Sequence, residues 1–169
     1  MDAKNDHGYF VVHFGKNTKT HRIQGLKNLY SLENFEEITY LSVHDDIDMI
    51  PEGLPMSLVV LDFSNSNITK IANIEHLINL KYLTVSCTDV KKIEHLPQNL
   101  EHFFAVETRI SIVENLNEGL LVADFCDCGF GNLLIIKEVP SSLISMGTHH
   151  INEIKWECEN PEKLTVYHK

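Results

Sequence analysis

The stretch Ile68-Thr69-Lys70-Ile71-Ala72-Asn73-Ile74-Glu75-His76-Leu77-Ile78-Asn79-Leu80-Lys81-Tyr82-Leu83-Thr84-Val85 decides how this chain folds. Ile68, Ile71, Ile74, Leu77, Leu80 and Leu83 recur at every third position without a break. An α-helix would mix spacings of three and four to keep one face apolar, so this ladder predicts a 3₁₀ or extended path. Past Leu80 the rule changes. Leu83 and Val85 alternate with Tyr82 and Thr84, the period of two that a half-buried strand requires. One segment therefore holds a return path and a short strand, the content of one turn of a coil. A second ladder, Ile23, Leu26, Leu29, Leu32, Phe35, Ile38 and Leu41, leads into a similar strand, with a helical turn expected between Leu26 and Phe35.

The same order repeats along the chain. Segments starting at Ile38, Leu58, Leu80, Leu100, Leu120, Leu143 and Leu164 follow one another at intervals of 20, 22, 20, 20, 23 and 21 residues. Three residues after each start stand Leu41, Leu61, Leu83, Phe103, Ala123, Met146 and Tyr167, and two further on come Val43, Phe63, Val85, Ala105, Phe125 and Thr148. Beyond the strand the apolar column resumes at Ile68, Val90, Ile110 and Phe130. No unit of this length buries its apolar columns alone, so neighbours must stack and their strands must pair into one curved parallel sheet. At the turn stand Asp46, Ser66, Thr88, Thr108 and Cys128, and the repeat from Leu143 reaches Ile151 two residues early, which predicts a shortened turn. Phe10, Val12 and Phe14 alternate with Tyr9, Val11 and His13, predicting a first strand or a cap. The expected organisation is a tail with that cap over residues 1–22 and one solenoid over residues 23–169, a single domain.

These columns resemble the leucine-rich repeat, whose strand signature is Leu-x-x-Leu-x-Leu. Ile68 through Ile93 is similar to the short repeats of the protein-phosphatase-regulator type. Leu54-Pro55-Met56-Ser57-Leu58, Leu96-Pro97-Gln98-Asn99-Leu100 and Val139-Pro140-Ser141-Ser142-Leu143 follow Leu-Pro-x-x-Leu, similar to repeats of bacterial secreted effectors and of some amoebal and large-virus proteins. The chain departs from the family at the turn, usually Asn and here Asp, Ser, Thr or Cys. The resemblance implies a right-handed solenoid, α/β by convention, with one curved parallel sheet and a mostly 3₁₀ or extended convex side. It also implies a non-catalytic protein-binding module, and through the effector-like repeats a pathogen or viral interaction protein.

Charge narrows the partner. With 14 Lys and Arg against 24 Asp and Glu, the chain carries a formal net charge of −10. That argues against nucleic acid, which is held by dense positive charge, and favours a basic or neutral protein partner. The polar opening Met1 to His7 contains no signal-peptide core, and no run is long enough to span a bilayer, so cytoplasmic placement without membrane contact is expected. Effector resemblance adds delivery to a host cell as a variant of that expectation. Cys87, Cys126, Cys128 and Cys158 match neither paired zinc knuckles nor a dense disulfide framework, and reduced thiols suit the cytosol.

On the concave face the outward residues form columns: Tyr40, Val60, Tyr82, His102, Val122 and Ser145, beside Ser42, Asp62, Thr84, Phe104, Asp124 and Gly147. A third column reads His44, Ser64, Ser86, Val106, Cys126 and His149, and a fourth reads Asp45, Asn65, Cys87, Glu107, Asp127 and His150. The candidate partner-binding residues are Tyr40, Asp62, Tyr82, His102, Phe104, Glu107, Asp124 and Asp127. Outward Tyr and Val also serve cross-strand packing in any sheet, so the binding reading rests on the group Tyr82, His102 and Phe104. The acidic members would steer a basic partner in a salt-dependent way. His44, His102, His149 and His150 are placed to make binding sensitive to pH. Cys126, Asp127, His149 and His150 are a set that zinc could use, but their spacing fits no known site and Cys128 falls on the inward turn column. Cys87 and Cys126, near His102 and His149 through the stacking, are the thiols a Cys–His nucleophile would use, but no helix N-terminus is expected there to lower a thiol pKa. No catalytic residue, metal or cofactor is therefore assigned. A competing reading is self-assembly through the strand edge at Leu164 to Lys169, giving a dimer in place of a monomer.

Overall fold

The computed structural model describes residues 9–44, 47–129, 133–159 and 163–167. In chain order the strands are β1 (Tyr9–Phe14), β2 (Asn17–Gln24), β3 (Ile38–His44), β4 (Val60–Asp62), β5 (Tyr82–Thr84), β6 (His102–Phe104), β7 (Ile112–Val113), β8 (Val122–Asp124), β9 (Leu133–Ile136), β10 (Ser145–Gly147), β11 (Glu153–Trp156) and β12 (Thr165–Tyr167). One five-residue helix, α1 (Leu26–Tyr30), and one 3₁₀ turn, Phe35–Glu37, fall inside the first three-residue ladder where a helical turn was expected. A helix of that length cannot persist alone in water, and Leu29, fully buried, ties it to the core.

Period-two alternation and stacking produce a parallel β-solenoid of about six turns. Leu41, Leu61, Leu83, Phe103, Ala123 and Met146 pair rung to rung without a slip, and all are buried. Behind them Leu58, Leu80, Leu100, Leu120 and Leu143 form a second buried column, and Ile68, Ile71, Ile74 and Leu77 line the return path. Each such side chain withdrawn from water contributes roughly 1.5–3 kcal/mol, a gain available only when the next rung covers it.

Two features differ from the single parallel sheet expected. The long sheet runs β12-β10-β8-β6-β5-β4-β3-β1-β2, and its last two strands are antiparallel. Gly15, at φ 53°, turns the β1–β2 hairpin, which lays Phe10 and Val12 over the first rung and closes that end of the core. On the opposite side β7, β9 and β11 form a second parallel sheet, so the return path of the later rungs becomes a ladder of its own. The last strand is also corrected by one residue. Val166, not Tyr167, pairs with Met146, and Tyr167 stands exposed opposite Gly147.

The turns are held by short hydroxyl and thiol side chains. Ser66 Oγ, Thr88 Oγ1 and Thr108 Oγ1 each donate to the carbonyl three residues back, on Phe63, Val85 and Ala105, at 2.7, 2.6 and 2.9 Å. Cys128 reaches across instead, its thiol donating to Ala105 O of the previous rung at 2.7 Å. Just before Ser66, Thr88, Thr108, Cys128 and Ile151 the chain is left-handed, at Asn65, Cys87, Glu107, Asp127 and His150, with φ between 54° and 61°. Asp46 and Phe130, read as part of the turn and apolar columns, lie outside the described residues.

A candidate docking face on the long sheet

Because β4, β5, β6 and β8 are three residues long and stack without slip, each presents two outward side chains in line with its neighbours. In the first column Tyr82 and His102 face each other with ring centroids 4.4 Å apart and planes 8° from parallel. Phe104 lies 6.4 Å beyond His102, inclined by 13°. The register thus brings together the three residues on which the binding reading rests. Tyr40 lies two rungs back in the same column, and His13 of β1 stacks on it at 4.5 Å. His13 belongs to the segment expected as a first strand or a cap. Only the antiparallel pairing His13↔Tyr40 extends the aromatic column onto the hairpin.

The second column does a structural task as well. Asp62 Oδ1 accepts the N–H of Ser64 at 2.8 Å, and Asp124 Oδ1 accepts that of Cys126 at 3.0 Å. A side-chain acceptor at the last strand residue therefore satisfies the backbone donor two residues on, where the chain leaves the ladder. Thr84 does the same more loosely for Ser86, at 3.4 Å. Phe104 and Gly147 have no acceptor to offer. In both places the previous rung supplies one: Ser86 Oγ accepts the N–H of Val106 at 3.2 Å, and Cys126 Sγ accepts that of His149 at 3.1 Å.

Glu107 and Asp127 stand apart from the flat face, on the left-handed turn residues at its rim. Asp127 is paired with His150 Nδ1 at 3.0 Å. Val59, Lys81, Glu101, Leu121 and Ile144, one residue ahead of the first column, border the face on its other side. Ile144 is 55% exposed, and Lys81 and Glu101 form an ion pair of 2.7 Å. These flanking residues were not among the candidates, since only strict alternation marks a position as outward. His44's third-column partners are described, but its own side chain and Asp45 lie outside the described residues.

All four thiols are held protonated. Burial, aided by the neighbouring Asp124, pushes Cys126 up to about 12, and burial is also the leading cause that raises Cys87, Cys128 and Cys158. Thiols so placed are poor nucleophiles and poor metal ligands at neutral pH. Among the described residues no group of three or more His, Cys, Asp or Glu side chains is placed to hold a metal ion, and no helix is long and apolar enough to cross a membrane. No protein-family model matches the chain, and no curated protein matches it in sequence.

Proposed function

We propose that this chain is a right-handed leucine-rich-repeat module that binds a basic protein segment on the concave face of its long sheet, without catalysis. The observation that carries the reading is the Tyr82–His102–Phe104 stack, three ring systems held parallel on an outward face with Tyr82 42% exposed. Pre-stacked rings bury large area on contact while losing few rotamers, which is what interface anchors do. Asp62 and Asp124 flank the stack within a chain of net charge −10, which favours a cationic segment. Cytoplasmic action is part of this reading, supported by the unpaired thiols, with delivery to a host cell as the variant that the resemblance to effector repeats suggests. Affinity capture with the native chain and a Tyr82→Ala, His102→Ala, Phe104→Ala variant tests the reading. The captured partner should be lost with the triple variant, and its association rate should fall as salt rises. Equal capture by both chains, or a salt-independent rate, contradicts it.

A second reading draws on β12, which lies at the edge of the long sheet with Tyr167 52% exposed. Strand edges of this kind pair with other chains, so self-assembly is the alternative. A monomer in sedimentation at micromolar concentration removes it.

A further inference from the structure

On the far side of the solenoid, the short sheet begins at β7, and the preceding rung does not join it as a strand. A groove of about 400 Å³ opens between the two, lined by Lys91, Lys92 and Ile93 on one side and by Arg109, Ser111, Ile112 and Glu114 on the other. Its charge runs against that of the chain. Three cations meet here in a protein of net charge −10, and Lys70 stands two residues past Ile68 as Lys92 stands two past Val90, adding a fourth one rung back.

Two of the groove cations also stand apart from the ion-paired lysines elsewhere on the chain. Lys81, Lys137 and Lys155 are each within 3.2 Å of a carboxylate. Lys91 and Lys92 have no carboxylate partner among the described residues. Arg109 pairs through Nε with Asp89 at 2.7 Å. Glu114, the one acid in the lining, is paired with Lys137 at 3.2 Å. The backbone adds a donor. Ser111 and Val113 turn their carbonyls to β9, accepting from Ile135 and Lys137, so alternation aims the N–H of Ile112 the other way, to the groove side. Among the described residues that N–H has no partner.

We infer that this groove binds a small multiply charged phosphate anion, through Lys91, Lys92, Arg109, the Ser111 hydroxyl and the Ile112 N–H. A planar guanidinium, two ammonium groups, a hydroxyl and a sheet-edge amide make a donor-rich lining suited to phosphate oxygens, its one carboxylate, Glu114, being paired with Lys137. The volume matches a small-molecule ligand. It lies on the opposite side from the docking face, so the two sites are independent.

Titration calorimetry with inorganic pyrophosphate at constant ionic strength tests the site, using the native chain, a Lys91→Ala, Lys92→Ala variant and the Tyr82, His102, Phe104 triple-alanine variant. Both lysines are exposed, so their removal leaves the core intact, and circular dichroism checks this. Saturable one-to-one binding is expected, weakened at least tenfold in the lysine variant and unchanged in the triple variant. No saturable heat, or equal affinity without the lysines, overturns the site. Tighter binding of a single-stranded oligonucleotide than of pyrophosphate overturns the assignment to a small anion.

Discussion

Ser86 Oγ accepts the N–H of Val106, one rung away, at 3.2 Å. The bond exists because Phe104 occupies the strand position where Asp62 and Asp124 carry their own acceptor. The ring that serves the docking face thus depends on a neighbour for a backbone bond it displaces. Replacing Ser86 by Ala should cost about 1 kcal/mol. In a Phe104→Asn background, where Asn can accept the Val106 N–H itself, the same replacement should cost about zero. Urea denaturation of the four proteins measures both values, and equal costs in the two backgrounds would show that the bond has no such role.

Gly147 is set by the rung before it. A Cβ there would lie 2.7 Å from Asp124 Cγ, and Asp124 cannot swing away without releasing the Cys126 N–H. Gly147→Ala should therefore destabilise by about 1–2 kcal/mol, and by about half that or less once Asp124 is Ala. Thermal melts of the double-mutant cycle report the coupling.

Cys126 gives stability a dependence on alkaline pH. Its folded thiol titrates at about 12, against a usual value of 9.0. The folded state then keeps a proton that the unfolded chain loses, so its contribution is present below pH 9 and is lost as pH rises toward 12, at up to about 1.4 kcal/mol per pH unit. Cys126→Ser keeps an acceptor for the His149 N–H, as Ser86 does for Val106, and removes the titrating thiol. Urea midpoints between pH 8.5 and 10.5 should fall less steeply for this variant than for the native chain. Identical slopes would exclude the thiol as their cause.

Thr88 carries the turn through its hydroxyl, which donates to Val85 O at 2.6 Å in a buried setting. Thr88→Val keeps the shape and should lose about 1–2 kcal/mol, whereas Thr88→Ser, which reproduces the bond of Ser66, should lose less than about 1 kcal/mol. Comparable losses in a denaturant titration would assign the turn's stability to packing.

The solenoid was legible because stacking needs each apolar column filled, and Leu58, Leu80, Leu100 and Leu120 do so at near-constant spacing. The aromatic stack followed from that register alone. The second sheet was not, since Ile112–Val113 and Leu133–Ile136 are apolar on both faces and alternate too little to separate a strand from an extended return path. The last strand slipped because Leu164, Val166 and Tyr167 are all apolar, so two registers satisfy the pattern and only pairing with Met146 chooses between them. The left-handed turn was hidden by residue type: Asn65 and Asp127 are of types that favour it, but Cys87 and Glu107 are not.

The account depends most on the outward face of the long sheet being where a partner sits. Photo-crosslinking tests this directly, with benzoylphenylalanine placed at position 82 on that face or at exposed position 153 on the short sheet. A partner captured from position 82, displaced by unlabelled native chain and absent from position 153, is the predicted result. The same partner captured from position 153 and not from position 82 would contradict it.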